Sequence, residues 1–170
     1  MNKTPRIIVA ALSLSAAAYG GLVTHEHYTR EAIIPTVNDR PTFGFGSTFK
    51  EDGSPVKMGD KIDPPRAVRL SIANIAKDEA LLKQCLTGEL HQREYDILVD
   101  FAYQYGTGYT CKSAMVTYIN AGMYEEACRA YTMSNHQWAG GYNCAAPGNR
   151  TCPGVWTRNL KRQQDCLAAQ

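Results

Sequence analysis

Glu26 stands where an uncharged stretch ends. Residues 7–24, IIVAALSLSAAAYGGLVT, carry no charge, and no acidic residue precedes Glu26. A carboxylic acid at such a junction is open to desolvation, which raises its pKa and suits it to deliver a proton as a general acid. His25 and His27 flank it, and a charged imidazole opposes that rise. Taken alone, Glu26 is an ordinary charge at a helix end, so any chemistry needs further groups. Glu31 and Asp39 are later acids on the same segment, and Thr42 brings a hydroxyl at the head of a glycine-rich run. The triplet His25-Glu26-His27 also suggests zinc. A metalloprotease helix, however, needs its two histidines at i and i+4 on one face with Glu between them. Here they are two apart, on opposite sides of a helix, and His91 and His136 alone remain as further ligands. No metal or other cofactor is expected.

The six cysteines all lie between Cys85 and Cys166, and none forms a CxxC doublet. An even set in a chain of 170 residues points to disulfides formed in an oxidising compartment. Cys144 and Cys152 bracket AAPGNRT, a loop that a disulfide closes easily. Cys128 and Cys166 fall on two candidate C-terminal helices, and Cys85 and Cys111 flank a central one. The expected pairs are therefore 85–111, 128–166 and 144–152, acting as permanent staples. A redox switch is disfavoured because no cysteine lies in the apolar stretch or near Glu26.

Lys3 and Arg6 precede the uncharged stretch. Basic residues ahead of an apolar run are common to secretion signals and N-terminal membrane anchors. The run of 18 residues lies close to the lower limit of about 17 for crossing a bilayer. Ala, Gly, Ser and Thr supply much of it, so its preference for lipid is marginal. Two readings lead, with a permanent anchor as the remainder. One is a cleavable signal peptide, with Ala16, Ala17, Ala18 and Gly20 offering small-residue cleavage sites. The sharper one is an uncleaved apolar helix that enters the membrane and later leaves it.

Elements that would position these groups follow from composition and spacing. The hydrophobic fraction of 44% and net charge of +2 disfavour disorder, and 18 basic against 16 acidic residues without a basic run disfavour nucleic-acid binding. Thr42 to Phe49, TFGFGSTF, reads as a hairpin or small sheet with glycine where side chains must be absent. Lys50 to Pro65 reads as a surface connection. Pro64 and Pro65 open a helix to Cys85, with Val68, Ile72, Ile75 and Leu82 on one side. A second helix spans His91 to Tyr105, burying Tyr95, Leu98, Val99 and Ala102. Residues 112–120, 125–132 and 155–169 are further helices. The sum is an α+β fold, mostly helical, with a small N-terminal sheet and an apolar helix before it. Residues 1–24 form the leader, and residues 25–170 one domain.

The ordered motifs resemble the phage lysozyme family of glycoside hydrolases. Glu26-His27-Tyr28 stands at the family's Glu-Gly-aromatic, and Thr42-Phe43-Gly44-Phe45-Gly46 at its Thr-x-Gly-x-Gly run. Glu94 to Tyr103, EYDILVDFAY, looks like its central helix, and Trp138-Ala139-Gly140-Gly141 and Arg158 also match. Glu31 is the weaker rival to Glu26, being too near Thr42. Nine residues beyond Glu26, where the family carries Asp, stands Pro35, with Thr36 as the other alignment. The available carboxylate is Asp39, three residues before Thr42. Either Asp39 reaches the site by a changed loop path, or that carboxylate is dispensed with. Gln104 stands where the family usually has Asn.

The resemblance implies a lysozyme-like domain that hydrolyses the β-1,4 bond between N-acetylmuramic acid and N-acetylglucosamine in bacterial peptidoglycan, lysing the host cell. Its catalytic residues would be Glu26 as acid, Thr42 positioning water and Asp39 as base. The weakly apolar leader is similar to those of signal-anchor-release endolysins. That implies export by the Sec machinery, tethering at the periplasmic face of the host inner membrane, and later release into the periplasm. A monomer without nucleic-acid partners is expected. The alternative is a non-catalytic exported peptidoglycan-binding module on the same fold.

Overall fold

The computed structural model describes residues 5–35, 39–133, 138–139 and 142–170. Two compact units divide the chain: Ser15–Ala80, and Met1–Leu14 together with Leu81–Gln170.

The leader is shared between them. In the second-named unit, strand β1 (Ile7–Ile8) and a 3-10 turn (Val9–Ala11) come first, and Val9 and Leu12 are buried. Helix α1 (Ala16–Glu26) opens the other unit, with the Ser15 hydroxyl accepting from Ala18 N–H at 3.1 Å. Residues 7–24, expected as one apolar helix, thus divide at a serine that caps more readily than it continues a helix. Among the described residues no helix is long and apolar enough to cross a membrane.

Within Ser15–Ala80, β2 (Thr29–Ile33) pairs antiparallel with β3 (Thr42–Gly44). Thr29 faces Gly44 and Ile33 faces Thr42, so β2 carries an irregularity between them. The core gathers Ala32, Phe43, Val56, Ile62, Ala67 and Leu70. Lys50 to Pro65, expected as a surface connection, contributes Val56 and Ile62 to that core. Its backbone is tied back to the sheet: Ile62 N–H donates to Arg30 and Ala32 N–H donates to Asp60, both at 2.9 Å. Helix α2 (Pro64–Cys85) begins and ends where the prolines and cysteine predict. Its buried stripe runs through Ala67, Leu70, Ser71, Ile75 and Leu82. Val68 lies at the edge of that stripe, and Ile72, a further turn-fraction round, is half exposed rather than buried.

In the other unit, β1 pairs antiparallel with β4 (Glu89–Leu90). Helix α3 (Gln92–Tyr105) buries Tyr95, Leu98, Val99 and Ala102 as expected, and Ile97 and Phe101 besides. Around it stand α4 (Thr107–Cys111), which the periodicity missed, α5 (Ala114–Asn120), α6 (Tyr124–Ala130) and α7 (Pro153–Leu167). A short ladder joins β5 (Trp138–Ala139) to β6 (Tyr142–Asn143), while Gly140 and Gly141 lie outside the described residues. Disulfides join Cys85 to Cys111, Cys128 to Cys166 and Cys144 to Cys152.

Among the described residues of this unit, two ion-pair networks are largely buried. Arg6 forks onto Glu94 at 2.8 and 3.1 Å and stacks over Tyr124 at 3.6 Å. On α7, Arg162 grips Asp100 of α3 at 2.6 Å, and Arg158 reaches the same carboxylate at 3.2 Å. Asn159 continues the network by donating to the Tyr105 hydroxyl at 2.8 Å.

Candidate active site

Helix α1 carries Glu26 at its last position, and the chain turns sharply there. His27 takes φ 52°, the left-handed region that side chains rarely occupy. A histidine, rather than a glycine, bears that conformation here. Next to it the exposed Tyr28 donates its hydroxyl to the Ile62 carbonyl at 2.6 Å, and its ring packs 5.8 Å from Phe45. Glu26 is left half-buried.

The glycine-rich run folds as a tight hairpin. Phe43 and Ser47 exchange backbone hydrogen bonds of 3.1 and 3.0 Å, enclosing Gly44, Phe45 and Gly46. Asn74 on α2 supports the hairpin through the Ser47 hydroxyl at 3.3 Å. Phe43 is only 1% exposed and belongs to the core, so of the two phenylalanines only Phe45 keeps part of its ring outside. At the far side of this turn, a Cβ built on Gly46 would stand 3.3 Å from the Glu26 Oε2 atom. The acid at the end of α1 and the glycine run therefore meet, although 20 residues separate them in the chain.

Thr42 opens β3 opposite Ile33 and is half-buried. Asp39 lies exposed before it, and its carboxylate accepts from the Arg40 N–H at 2.8 Å. Pro35 is exposed, and Thr36, the other residue aligned with the family Asp, lies outside the described residues, as does His136. The rival acid Glu31 is engaged elsewhere: it sits on β2, exposed, 3.5 Å from Lys61. His25 and His27 are both exposed. Among the described residues, no three His, Cys, Asp or Glu side chains are grouped to hold a metal ion.

Spacing alone did not reveal two features: the contact of Gly46 with Glu26, and the tie between Arg6 of the leader and Glu94. The Gly-x-Gly repeat carried a signal for the first. Nothing local signals the second, because the partners are 88 residues apart.

The chain is also similar to known proteins in sequence and in fold. The family model described as phage lysozyme matches residues 23–161. The SAR-endolysin of Pseudomonas phage phiKMV is 28% identical over 138 residues, covering 78% of this chain and 79% of that protein. An endolysin from Escherichia coli O157:H7 phage FAHEc1 superposes with a TM-score of 0.76 at 24% identity, covering 94% of this chain and 96% of that one. The muramidase domain of SpmX from Asticaccaulis excentricus superposes with a TM-score of 0.72 at 18% identity, over 92% and 98% of the two chains. Those two likenesses establish a lysozyme-like fold, and the family model extends from the end of the leader into the last helix. The chain belongs to the phage lysozyme family and is a glycoside hydrolase.

Proposed function

We propose that this chain is an endolysin that cleaves the β-1,4 bond between N-acetylmuramic acid and N-acetylglucosamine in bacterial peptidoglycan. The observation that carries this is the half-buried Glu26, brought by the end of α1 against the glycine turn that follows Thr42. Hydrolysing a glycosidic bond requires a proton for the departing oxygen and water delivered to the oxocarbenium-like carbon. Glu26 donates the proton. The Thr42 hydroxyl orients the water, and Asp39, exposed on the approach to β3, accepts its proton.

The leader supplies the control. Residues 1–24 act as a releasable membrane span exported by the Sec machinery, and residues 25–170 as the catalytic domain. While the span is embedded at the periplasmic face of the inner membrane, α1 is not formed as in the folded chain and Glu26 lacks its seat. On release into the periplasm, residues 16–26 coil into α1. Two observations support this. The residues of α1 suit water as well as lipid, since Ala16, Ala17, Gly20 and Gly21 are exposed while Leu22 is buried. The phiKMV relative is itself named a SAR-endolysin.

The decisive experiment pairs Glu26→Gln with mass spectrometry of digested peptidoglycan. The parent should yield muropeptides cut at the muramic acid reducing end. The Glu26→Gln chain should lose turnover by roughly three orders of magnitude or more, as loss of an essential general acid demands. Undiminished wall turbidity clearance by Glu26→Gln would overturn the proposal. Retained wall binding without any cleavage by the parent would instead favour a binding module.

A further inference from the structure

Two glycines of the hairpin adopt left-handed backbone, Gly44 at φ 61° and Gly46 at φ 78°. Their reasons differ. A Cβ on Gly44 would meet the Ala67 Cβ at 3.1 Å, so its bareness serves the packing of α2 against the sheet. Among the described residues, and apart from its chain neighbours, the one heavy atom that a Cβ on Gly46 would approach within 4 Å is Glu26 Oε2, at 3.3 Å. The left-handed backbone already favours glycine there, and beyond that the atom an added Cβ would crowd is the carboxylate's.

We propose that Gly46 is a positioning residue for catalysis, keeping clear the space in which the Glu26 carboxylate sits. This rests on the assignment of Glu26 as the acid. A methyl at that point is held by backbone on a tight turn, so it cannot swing away. The carboxylate must move instead, and it is the end of a flexible side chain. Displacing a proton donor by a fraction of an ångström leaves substrate binding intact but lowers the rate of the chemical step, because proton transfer demands a donor within hydrogen-bond reach of the bridging oxygen.

Gly53 provides an internal control. It has φ 80°, nearly that of Gly46, and among the described residues nothing lies within 4 Å of an added Cβ. Alanine at either position meets the same left-handed backbone penalty. Only at position 46 does it also meet the acid.

The experiment compares full-length Gly46→Ala, Gly53→Ala and Glu26→Gln on purified peptidoglycan, each with its thermal midpoint. Gly46→Ala and Gly53→Ala should lower the midpoint alike. Gly53→Ala should keep kcat within about twofold of the parent. Gly46→Ala should lower kcat by roughly tenfold to a hundredfold while KM changes less than about twofold. A second arm repeats Gly46→Ala in a Glu26→Asp background, where the acid is one methylene shorter. There the added methyl should cost markedly less, because the two changes act on one contact. Equal losses of kcat from the two alanines, or an undiminished effect in the Glu26→Asp background, would overturn the inference. So would a Gly46→Ala chain that fails to fold while Gly53→Ala folds, since the role would then be structural. If Glu26→Gln itself retained full rate, the assignment of the acid would fall first.

Discussion

Glu94 shows how a residue deep in the fold depends on one near the start of the chain. Its side chain is 4% exposed, and burial alone pushes a carboxyl toward neutrality. The Arg6 fork, the His91 N–H and the Gln170 amide overcome that cost and hold the carboxyl below its ordinary value of 4.5. A carboxyl lowered on folding stabilises the fold above its ordinary value, and the contribution is lost as pH falls through the folded value. Arg6→Ala leaves a buried carboxylate without its counter-ion and should cost about 3 kcal/mol at pH 7. Glu94→Gln should cost less, because glutamine at the third helical position still serves the His91 backbone as a cap. Urea unfolding at neutral pH and below pH 4.5 tests both. The parent should lose more stability on acidification than Glu94→Gln, and parallel pH dependences would refute the account.

At the scale of elements, two of the disulfides join helices and the third closes a loop. Cys128–Cys166 ties α6 to α7 across 38 residues, Cys85–Cys111 ties the end of α2 to α4 across 26, and Cys144–Cys152 closes a loop of 8. Restricting the unfolded chain favours the longer loops, by about 4, 3.5 and 2.5 kcal/mol in that order. Paired Cys→Ser variants followed by calorimetry should reproduce this ranking; a loop-closing pair that mattered most would contradict it. The same scale explains which helices were legible. Helices α2 and α3 announced themselves through prolines and a long apolar period. Helix α4, only five residues, offers too short a period to register. Ile72 of α2 misled because an apolar type was taken for a buried position, whereas the stripe facing the core passes it by.

For the whole molecule, the leader is the element that has to satisfy two environments. Its residues are divided between both units in the folded chain, with Ala16 and Ala17 exposed and Ala18 half-buried. Replacing these three alanines with leucine should therefore disturb the folded form little. In the membrane each leucine adds roughly half a kcal/mol of preference for lipid. The triple variant should stay longer in the membrane fraction and delay lysis, as read by fractionation and culture turbidity. Full lysis on the parent's schedule, with the protein still embedded, would refute control by release.

Local signals in the chain sufficed for the boundaries of α2, the buried stripe of α3, the three cysteine pairs and the nomination of Glu26 and Thr42. The helix boundaries and stripe depend on neighbours within a few turns, the pairings on which elements the cysteines flank, and Glu26 and Thr42 on a motif whose order survives in one dimension. The tertiary structure alone decided that Arg6 closes on Glu94, that the presumed surface connection feeds Val56 and Ile62 into a core, and that the leader breaks at Ser15. It also decided that Glu26 rests against Gly46. These are contacts between residues distant in the chain, and their energies arise from burial and charge pairing that exist only once the chain has closed on itself.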